Sequence, residues 1–218
     1  MKIVFDNYEV CSSCQSLWGF SAYFPEYKLL FDTGSNGRVL LKNMQKTGVD
    51  VNEIEYLFIS HSHWDHIGGI DSIIELNSDI TLFAPASLSK HLLHDLKSMV
   101  KELVVCTKKP MQLFDNLYTT GLLGSEMPEQ SLIIDAQKPE VVTGCGHYGI
   151  ENITKVAKDF LGKDIVRVAG GFHLLRSDDA KIQQTIEQLK AMGVLYANAT
   201  HCTGDKVMQL FSREFASF

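Results

Sequence analysis

Short apolar runs alternate along this chain with longer segments in which apolar residues return every third or fourth position. The runs at 56–59 and 80–84 are typical of buried strands. Segment 150–161 places Ile150, Ile153 and Ala157 on one face, as an amphipathic helix does. The pattern predicts strands at 2–10, 19–24, 27–31, 56–59, 80–84, 102–106, 111–114, 118–122, 130–135, 140–143, 164–169 and 194–199. It predicts helices at 36–46, 67–77, 86–100 and 150–161, a helix capped by Ser177, and a last one from Thr203 to 215.

The predicted elements fall into two similar halves, and in both halves histidines follow the ends of apolar strands. Neither a low-complexity segment nor a clear linker separates the halves, so the sequence predicts a single domain over residues 1–218. The pattern by itself indicates only a fold that mixes α-helices and β-strands.

Bulk composition excludes several classes of protein. A net charge of −6 over 218 residues argues against a general nucleic-acid binder. No apolar run is long enough to span a membrane, and the first residues lack the apolar core of a signal peptide. We therefore expect a cytoplasmic protein, a monomer or homodimer, that acts on a small molecule and binds neither nucleic acid nor membrane.

Five cysteines are an odd number and do not describe a disulfide scaffold. Cys11 and Cys14 form a lone C-x-x-C. Such a pair is a redox couple or half of a metal site in some proteins, and an incidental or structural pair of thiols in others. The sequence leaves its role open.

The densest chemistry in the chain lies between the predicted strand 56–59 and the helix that follows it, where four ligand-type residues fall within six positions: His61, His63, Asp65 and His66. Imidazole and carboxylate groups are ligands that zinc, iron and manganese accept. His61 and His63 point the same way from an extended segment, because side chains alternate there. Asp65 and His66 then turn onto the helix start, where they could face a second ion. The segment predicts one or two divalent ions; the alternative is a polar loop without metal.

Three further histidines each follow a predicted strand and lie beside glycines: His147, His173 and His201. Loops at strand ends are common carriers of ligands and catalytic groups, since a rigid sheet holds them in place. Each of these histidines could instead be a structural residue of the core.

The order His-x-His-x-Asp-His-x-Gly-Gly at residues 61–69 resembles the signature of the metallo-β-lactamase superfamily, and Asp32-Thr33-Gly34 is similar to that family's strand-ending turn. Four other segments resemble one branch of it, described as metal-dependent hydrolases or dihydropterin–ribofuranosylaminobenzene phosphate synthases and likened to dihydropteroate synthase. These segments are 18–21, 143–147, 170–174 and 200–204. The resemblance covers nearly the whole chain. It implies an α/β fold, the four-layer αβ/βα sandwich, with two mixed sheets and outer helices.

The resemblance also implies a binuclear centre with a shared water. One ion would use His61, His63 and a third ligand. The other would use Asp65, His66 and His201. Zinc is the metal expected first, with iron and manganese as alternatives. Asp65, as hydrogen-bond partner of the water, is the expected catalytic residue.

The third ligand of the first ion departs from the family pattern. In the wider superfamily a histidine precedes the strand predicted here at 130–135, whereas this chain has Glu126 and Glu129. The family's bridging aspartate falls near Cys145. We expect His147 to supply the missing ligand, in which case the site could hold one ion, or bind the second weakly.

Other residues are expected around the ions. Asp32 could orient a ligating imidazole, or could simply form the turn. His173 could contact substrate, or could be a core histidine. The loop that contains Gly144 and Gly146 could wrap an anion with its backbone N–H groups, at the start of the predicted helix 150–161.

Four functions compete. The first is hydrolysis of a small anionic or phosphorylated ester-type substrate by metal-activated water. The second, which the branch implies, is a transferase that joins a dihydropterin diphosphate to an aminobenzene ribose phosphate and releases pyrophosphate. A di-iron redox centre is a third, although its relatives resemble His-x-Glu-x-Asp-His and this chain has His63 at the second place. A ligand-sensing protein without catalysis is the fourth.

Overall fold

The computed structural model describes residues 1–218, which divide into two compact units, Met1–Thr107 and Lys108–Phe218. Each unit contains one six-stranded sheet with helices packed on it. The prediction of a single domain over 1–218 stays a prediction. None of the helices combines the length and the apolar character that crossing a membrane requires.

The first unit is built on a mixed sheet whose strands follow each other in chain order. Neighbours are antiparallel from the first strand to the third and parallel from the third to the sixth. The strands are β1 (Lys2–Asp6), β2 (Phe20–Phe24), β3 (Leu29–Phe31), β4 (Tyr56–Phe58), β5 (Thr81–Pro85) and β6 (Glu102–Cys106).

Four helices belong to this unit: α1 (Gly37–Thr47), α2 (Trp64–Ile67), α3 (Ile70–Leu76) and α4 (Lys90–Met99). Their apolar faces pack on one face of the sheet, where Leu40 and Ile73 join Leu57 in one buried cluster. The helix predicted at 67–77 is two helices, since the chain already turns helical at Trp64 and is interrupted at Gly68–Gly69. Its first turn carries polar ligand-type residues, so it has no apolar periodicity by which the sequence could reveal it.

The second unit holds a sheet in the reverse order, with its two parallel pairs at one side and its antiparallel strands at the other. Its strands are β7 (Met111–Phe114), β8 (Leu117–Thr119), β9 (Leu132–Ile134), β10 (Glu140–Thr143), β11 (Arg167–Gly171) and β12 (Tyr196–Thr200). Its helices are α5 (Ile150–Leu161), α6 (Asp179–Ala191) and α7 (Asp205–Glu214).

The strand ends decide where chemistry is placed in each unit. In the first unit, β3 and β4 run parallel, so the residues that follow them, Asp32 and Ser60, leave the same edge of the sheet. In the second unit, β10, β11 and β12 run parallel, and the loops after them carry His147, His173 and His201. Because the C-terminal ends of parallel strands meet at one edge, residues distant in sequence are gathered there.

Candidate metal centre

In the first unit, the motif histidines surround the start of a short helix. Strand β4 ends at Phe58, and the chain stays extended to His63, which is the N-cap of α2. Asp65 and His66 lie in the first turn of that helix and are buried. His61 is also completely buried, whereas Trp64 between the ligand-type residues is 62% exposed. The turn therefore directs Asp65 and His66 inward and Trp64 outward.

A buried carboxylate orients two of these histidines. Asp32 accepts hydrogen bonds from the backbone N–H of Ser60 (2.7 Å) and from the Ser60 hydroxyl (2.6 Å). It also accepts one from Nδ1 of His66 (2.7 Å). A hydroxyl has one proton, so Ser60 must accept its other hydrogen bond, from Nδ1 of His61 (2.8 Å). Both imidazoles are thus held with the proton on Nδ1, which leaves Nε2 with the lone pair that a metal ligand needs.

The spacing of the donor atoms fits a metal ion. Nε2 of His61 lies 3.1 Å from Nδ1 of His63. Two nitrogens on one tetrahedral zinc, each at about 2.05 Å, are about 3.3 Å apart. In the neighbouring pair of ligand-type residues, Nε2 of His66 lies 3.6 Å from the carboxylate of Asp65. Both pairs have the chemistry and the separation of ligands that share an ion.

The Asp-Thr-Gly turn locks this helix start through close backbone contacts. Thr33 donates its backbone N–H and its hydroxyl to the carbonyl of His66 (2.8 and 2.9 Å). A side chain at Gly69 would meet the carbonyl oxygen of Thr33 at 2.5 Å, and one at Gly68 would meet that of Ser35 at 2.6 Å. The glycine pair after the motif is therefore required so that the turn after β3 can approach the helix.

In the second unit, the carboxylate of Glu129 organises the loop after β10. One oxygen accepts the N–H groups of Gly144, Cys145 and Gly146 at 2.9–3.1 Å. The other accepts the backbone N–H of His147 (3.0 Å) and Nδ1 of its ring (2.7 Å). Glu129 is 2% exposed. The carboxylate thus shapes the loop and leaves Nε2 of His147 as the available ligand atom.

A cluster of sulfur and imidazole groups lies beside this loop. The potential ligand atoms of Cys145, His147 and His173 all lie within 4.8 Å of one another, and so do those of Cys145, His201 and Cys202. Cys145 is common to both groups. Hydrogen bonding, first with Cys145 and then with His173, lowers the pKa of the Cys202 thiol well below its usual value, although burial opposes the shift. The hydrogen bond with Cys202 in turn raises the pKa of His173.

Backbone strain accompanies the chemistry in both units. Asp32, His173 and His201 have φ of 53°, 51° and 51°, in the left-handed region that residues other than glycine rarely adopt. Such residues cost about 1–3 kcal/mol each and cluster at functional sites. In the second unit, the two glycines before His173 also approach neighbouring backbone closely: a side chain at Gly170 or Gly171 would meet the carbonyl of Thr143 or Gly144 at 2.0 or 2.5 Å.

The structure places the expected site residues as follows. In the first unit it brings His61, His63, Asp65 and His66 together, and Asp32 is hydrogen-bonded to the ring of His66. In the second unit His147 and His173 are neighbours, with ring centres 4.5 Å apart, and His201 lies with the cysteines.

The glycine-rich loop differs from the expectation in one respect. The N–H groups of Gly144 and Gly146, expected to face a substrate anion, are donated to Glu129, a carboxylate of the protein itself. Their substrate-binding role stays a prediction, as does that of His173.

Sequence reasoning gave no role to Ser60, and it named Glu129 and Cys145 only as departures from the family pattern. Ser60 follows a buried strand immediately before His61, which was the available signal. Glu129 stands where the wider superfamily has a histidine, and nothing in its local sequence links it to His147.

Known proteins resemble this chain in sequence. The family profile described as Anti-Pycsar protein Apyc1 matches residues 22–121. The 7,8-dihydropterin-6-methyl-4-(β-D-ribofuranosyl)-aminobenzene-5′-phosphate synthase of Methanocaldococcus jannaschii is 27% identical over an alignment of 234 positions, gaps included, that spans 86% of this chain and 79% of that protein.

Solved structures extend the likeness to the whole chain. Tm1679, a metal-dependent hydrolase of the β-lactamase superfamily, is 25% identical and superposes with a TM-score of 0.80, over 99% of this chain and 92% of its own. The metallo-β-lactamase fold protein YhfI of Bacillus subtilis is 15% identical and superposes with a TM-score of 0.68, over 99% of this chain and 93% of its own. The α/β fold predicted from the sequence is confirmed. The chain therefore has the metallo-β-lactamase fold, and the relatives that it resembles along most of its length are enzymes.

Proposed function

We propose that this protein is a metal-dependent hydrolase that acts on a small anionic or phosphorylated ester-type substrate. Its metal ligands are His61, His63, Asp65, His66, His147 and His201, and they hold one or two divalent ions, zinc first among them. That the second-unit histidines serve the same centre as the motif rests on the family resemblance. The substrate class rests on it too.

One observation carries the proposal: the buried network in which Asp32 fixes the protonation of two motif histidines. Asp32 bonds directly to His66 and, through the hydroxyl of Ser60, to His61. Asp32 is completely buried and leaves the Nε2 lone pairs of His61 and His66 available to a metal ion. A polar loop that binds no metal would not need such a carboxylate. Glu129 repeats the same device on His147 in the second unit.

The chain's own residues then have separate tasks. A divalent ion in such a site supplies Lewis acidity and brings the pKa of a coordinated water near neutrality. In this proposal Asp65 accepts a proton from the attacking water and holds it, and its burial (5% exposed) and its distance of 3.6 Å from Nε2 of His66 support that role. Asp32, Ser60 and Glu129 keep the imidazoles from rotating, so that the donor set is ready before the substrate arrives.

Elemental analysis of protein purified without added metal tests the metal site. We expect at least one equivalent of zinc, iron or manganese, and a loss of it in His61→Ala and in His147→Ala. His94→Ala is the matched control, since His94 is an exposed histidine on α4. Metal that survives both site substitutions would refute the ligand assignment.

Turnover tests the reaction class. Metal-loaded protein should hydrolyse at least one member of a panel of carboxyl esters, lactones, lactams and phosphodiesters, and Asp65→Asn should slow the turnover. A loaded protein that turns over no member of the panel would count against hydrolysis.

A second candidate is favoured by the synthase among the relatives. In that reaction the protein would join a dihydropterin diphosphate to an aminobenzene ribose phosphate and release pyrophosphate. Pyrophosphate release that requires both substrates identifies the transferase, whereas release of product from either substrate alone identifies the hydrolase.

A further inference from the structure

The loop between β1 and β2 carries a disulfide in the first unit. Cys11 and Cys14 are bonded to each other across two residues, in a turn closed by a hydrogen bond from the N–H of Cys14 to the carbonyl of Cys11. Both cysteines are partly exposed, and Ser12 and Ser13 between them are exposed. The other three cysteines, Cys106, Cys145 and Cys202, are buried and form no disulfide. Solvent can therefore reach one pair of sulfur atoms much more readily than any other in the chain.

The base of this loop is held without the disulfide. The side chain of Asn43, completely buried on α1, accepts the N–H of Gln15 and donates to its carbonyl, both at 2.9 Å. The N–H of Leu17 bonds to the carbonyl of Asp6, and the hydroxyl of Ser16 to that of Tyr8. The sulfur bridge constrains only the exposed tip between these anchors.

A disulfide of this kind stabilises little. In the chain-entropy account, the constraint on the unfolded state grows with the length of the closed loop, and a three-residue separation is near the minimum. Exposed disulfides that are not needed to hold the fold are the ones that exchange readily with other thiols. The tip therefore has the properties of a reactive bond and not those of a structural cross-link.

A cation lies at the same turn. The ammonium group of Lys46, near the end of α1, donates a hydrogen bond to the carbonyl of Ser13, between the two cysteines. A positive charge beside a cysteine pair favours the thiolate, which is both the attacking and the leaving form in exchange.

We propose that Cys11 and Cys14 are a reversible thiol–disulfide exchange site whose partner is a dithiol reductant. A thiolate of the partner attacks one sulfur of the bridge, the sulfur–sulfur bond breaks, and the other cysteine leaves as a thiolate that takes up a proton. The partner's second thiolate then attacks the mixed disulfide and releases the first cysteine. The partner leaves as a disulfide, and both cysteines of the protein are thiols.

The test uses the native protein in a series of reduced and oxidised dithiothreitol ratios, quenched with acid, alkylated with a maleimide and weighed by mass spectrometry. We expect two adducts at Cys11 and Cys14 to appear as the ratio becomes more reducing and to vanish when it is reversed, while the buried cysteines stay unlabelled. A bridge that persists at the most reducing ratio until denaturant is added would overturn the proposal. So would thiols that never pair at the most oxidising ratio.

Variants separate exchange from mere exposure. Cys14→Ser should keep a stable mixed disulfide with glutathione at Cys11, which the wild type resolves, and Cys106→Ser should behave as the wild type. Lys46→Gln should slow exchange several-fold at neutral pH, whereas Lys42→Gln, on the same helix, should not. Equal rates in both lysine variants would show that the cation has no role. Circular dichroism checks that each variant is folded.

Discussion

Asp32 in the first unit and Glu129 in the second each orient a histidine, but they use their other hydrogen bonds differently. Each is buried, and each accepts a hydrogen bond from an imidazole Nδ1 at 2.7 Å. Asp32 uses its other acceptor sites mainly on Ser60, whose hydroxyl passes the orientation to a second histidine. Glu129 uses its other sites on four backbone N–H groups of one loop.

The difference separates two roles that a buried carboxylate combines. Around Asp32 the backbone is already fixed by the strand end and by the contacts of Thr33 with α2, so the carboxylate chiefly sets which nitrogen carries the proton. The loop at 144–147 belongs to no helix or strand, and the carboxylate of Glu129 accepts the backbone N–H groups of all four of its residues. Glu129 should therefore matter more to folding, and Asp32 more selectively to metal binding.

The largest expected effect is that of Glu129→Gln. The amide replaces one acceptor oxygen by a donor, which then faces at least two N–H groups of residues 144–147. Breaking a buried charged network of this kind costs about 3–5 kcal/mol. Urea denaturation of the metal-free protein measures it, with Glu126→Gln, an exposed neighbour, as the control. A loss no larger than that of the control would break the comparison.

Glu140 extends the comparison of Asp32 and Glu129, because it is a buried carboxylate that lacks their network of hydrogen bonds. One of its oxygens is buried and has no hydrogen-bond partner, and Arg167 is 4.0 Å from the other. Burial raises its pKa from 4.5 to about 7, although Arg167 opposes the shift. A carboxyl whose pKa is raised by folding stabilises the folded state below its unfolded pKa. That contribution is lost as the pH rises.

The expected pH dependence follows from that sign. Between pH 4.5 and about 7 the free energy of unfolding should fall by about 3 kcal/mol on account of Glu140. Glu140→Gln should remove this slope, and Glu102→Gln, on the exposed end of β6, should keep it. Urea titrations at several pH values measure the slope, and an unchanged slope in Glu140→Gln would contradict the assignment.

A smaller, more selective effect is expected for Asp32→Asn. The amide nitrogen would face Nδ1 of His66, so the ring must carry its proton on Nε2 and lose its ligand atom. We expect metal affinity to fall about 10–100-fold. The free energy of unfolding without metal should fall less than for Glu129→Gln, by about 1–3 kcal/mol. Competition with a chelator measures the affinity, and Asp71→Asn is the surface control. Wild-type affinity would show that Asp32 only forms the turn.

The smallest effect should be that of Ser60→Ala, which removes the relay to His61 and leaves the bond between Asp32 and His66. We expect a loss of about 1 kcal/mol in metal binding. In the double variant with Asp32→Asn the two losses should not add, because both act through the same network. Strict additivity in the chelator assay would mean that Ser60 does not relay the effect of Asp32.

Local pattern was a good guide where a residue acts on its neighbours in sequence. The amphipathic stripe of α5 predicted Ile150–Leu161 with the bounds that the structure has. The four ligand-type residues at 61–66 predicted a metal site because they are close in sequence. They lie on the end of one strand and on one helical turn. Asp32 was expected near the ligands because Asp32-Thr33-Gly34 resembles the strand-ending turn of the metallo-β-lactamase superfamily.

Glu129 shows where that guide stops. Its partners lie 15–18 residues away, beyond strands β9 and β10, and all but the ring of His147 are backbone N–H groups, which every residue except proline offers alike. The sequence at 144–147 therefore does not show that Glu129 accepts its hydrogen bonds. The same holds for the meeting of Cys145 and Cys202, which are 57 residues apart and are joined only because β10, β11 and β12 end at one edge.

The sequence by itself determined the α/β class, most of the elements and which side chains have the chemistry to bind a metal, because periodicity and ligand type are local properties. Only the tertiary structure decided which nitrogen of each histidine is available and which carboxylate holds it. Those are matters of distance and burial between segments that are far apart along the chain, and hydrogen bonds of that range are fixed only when the strands have paired.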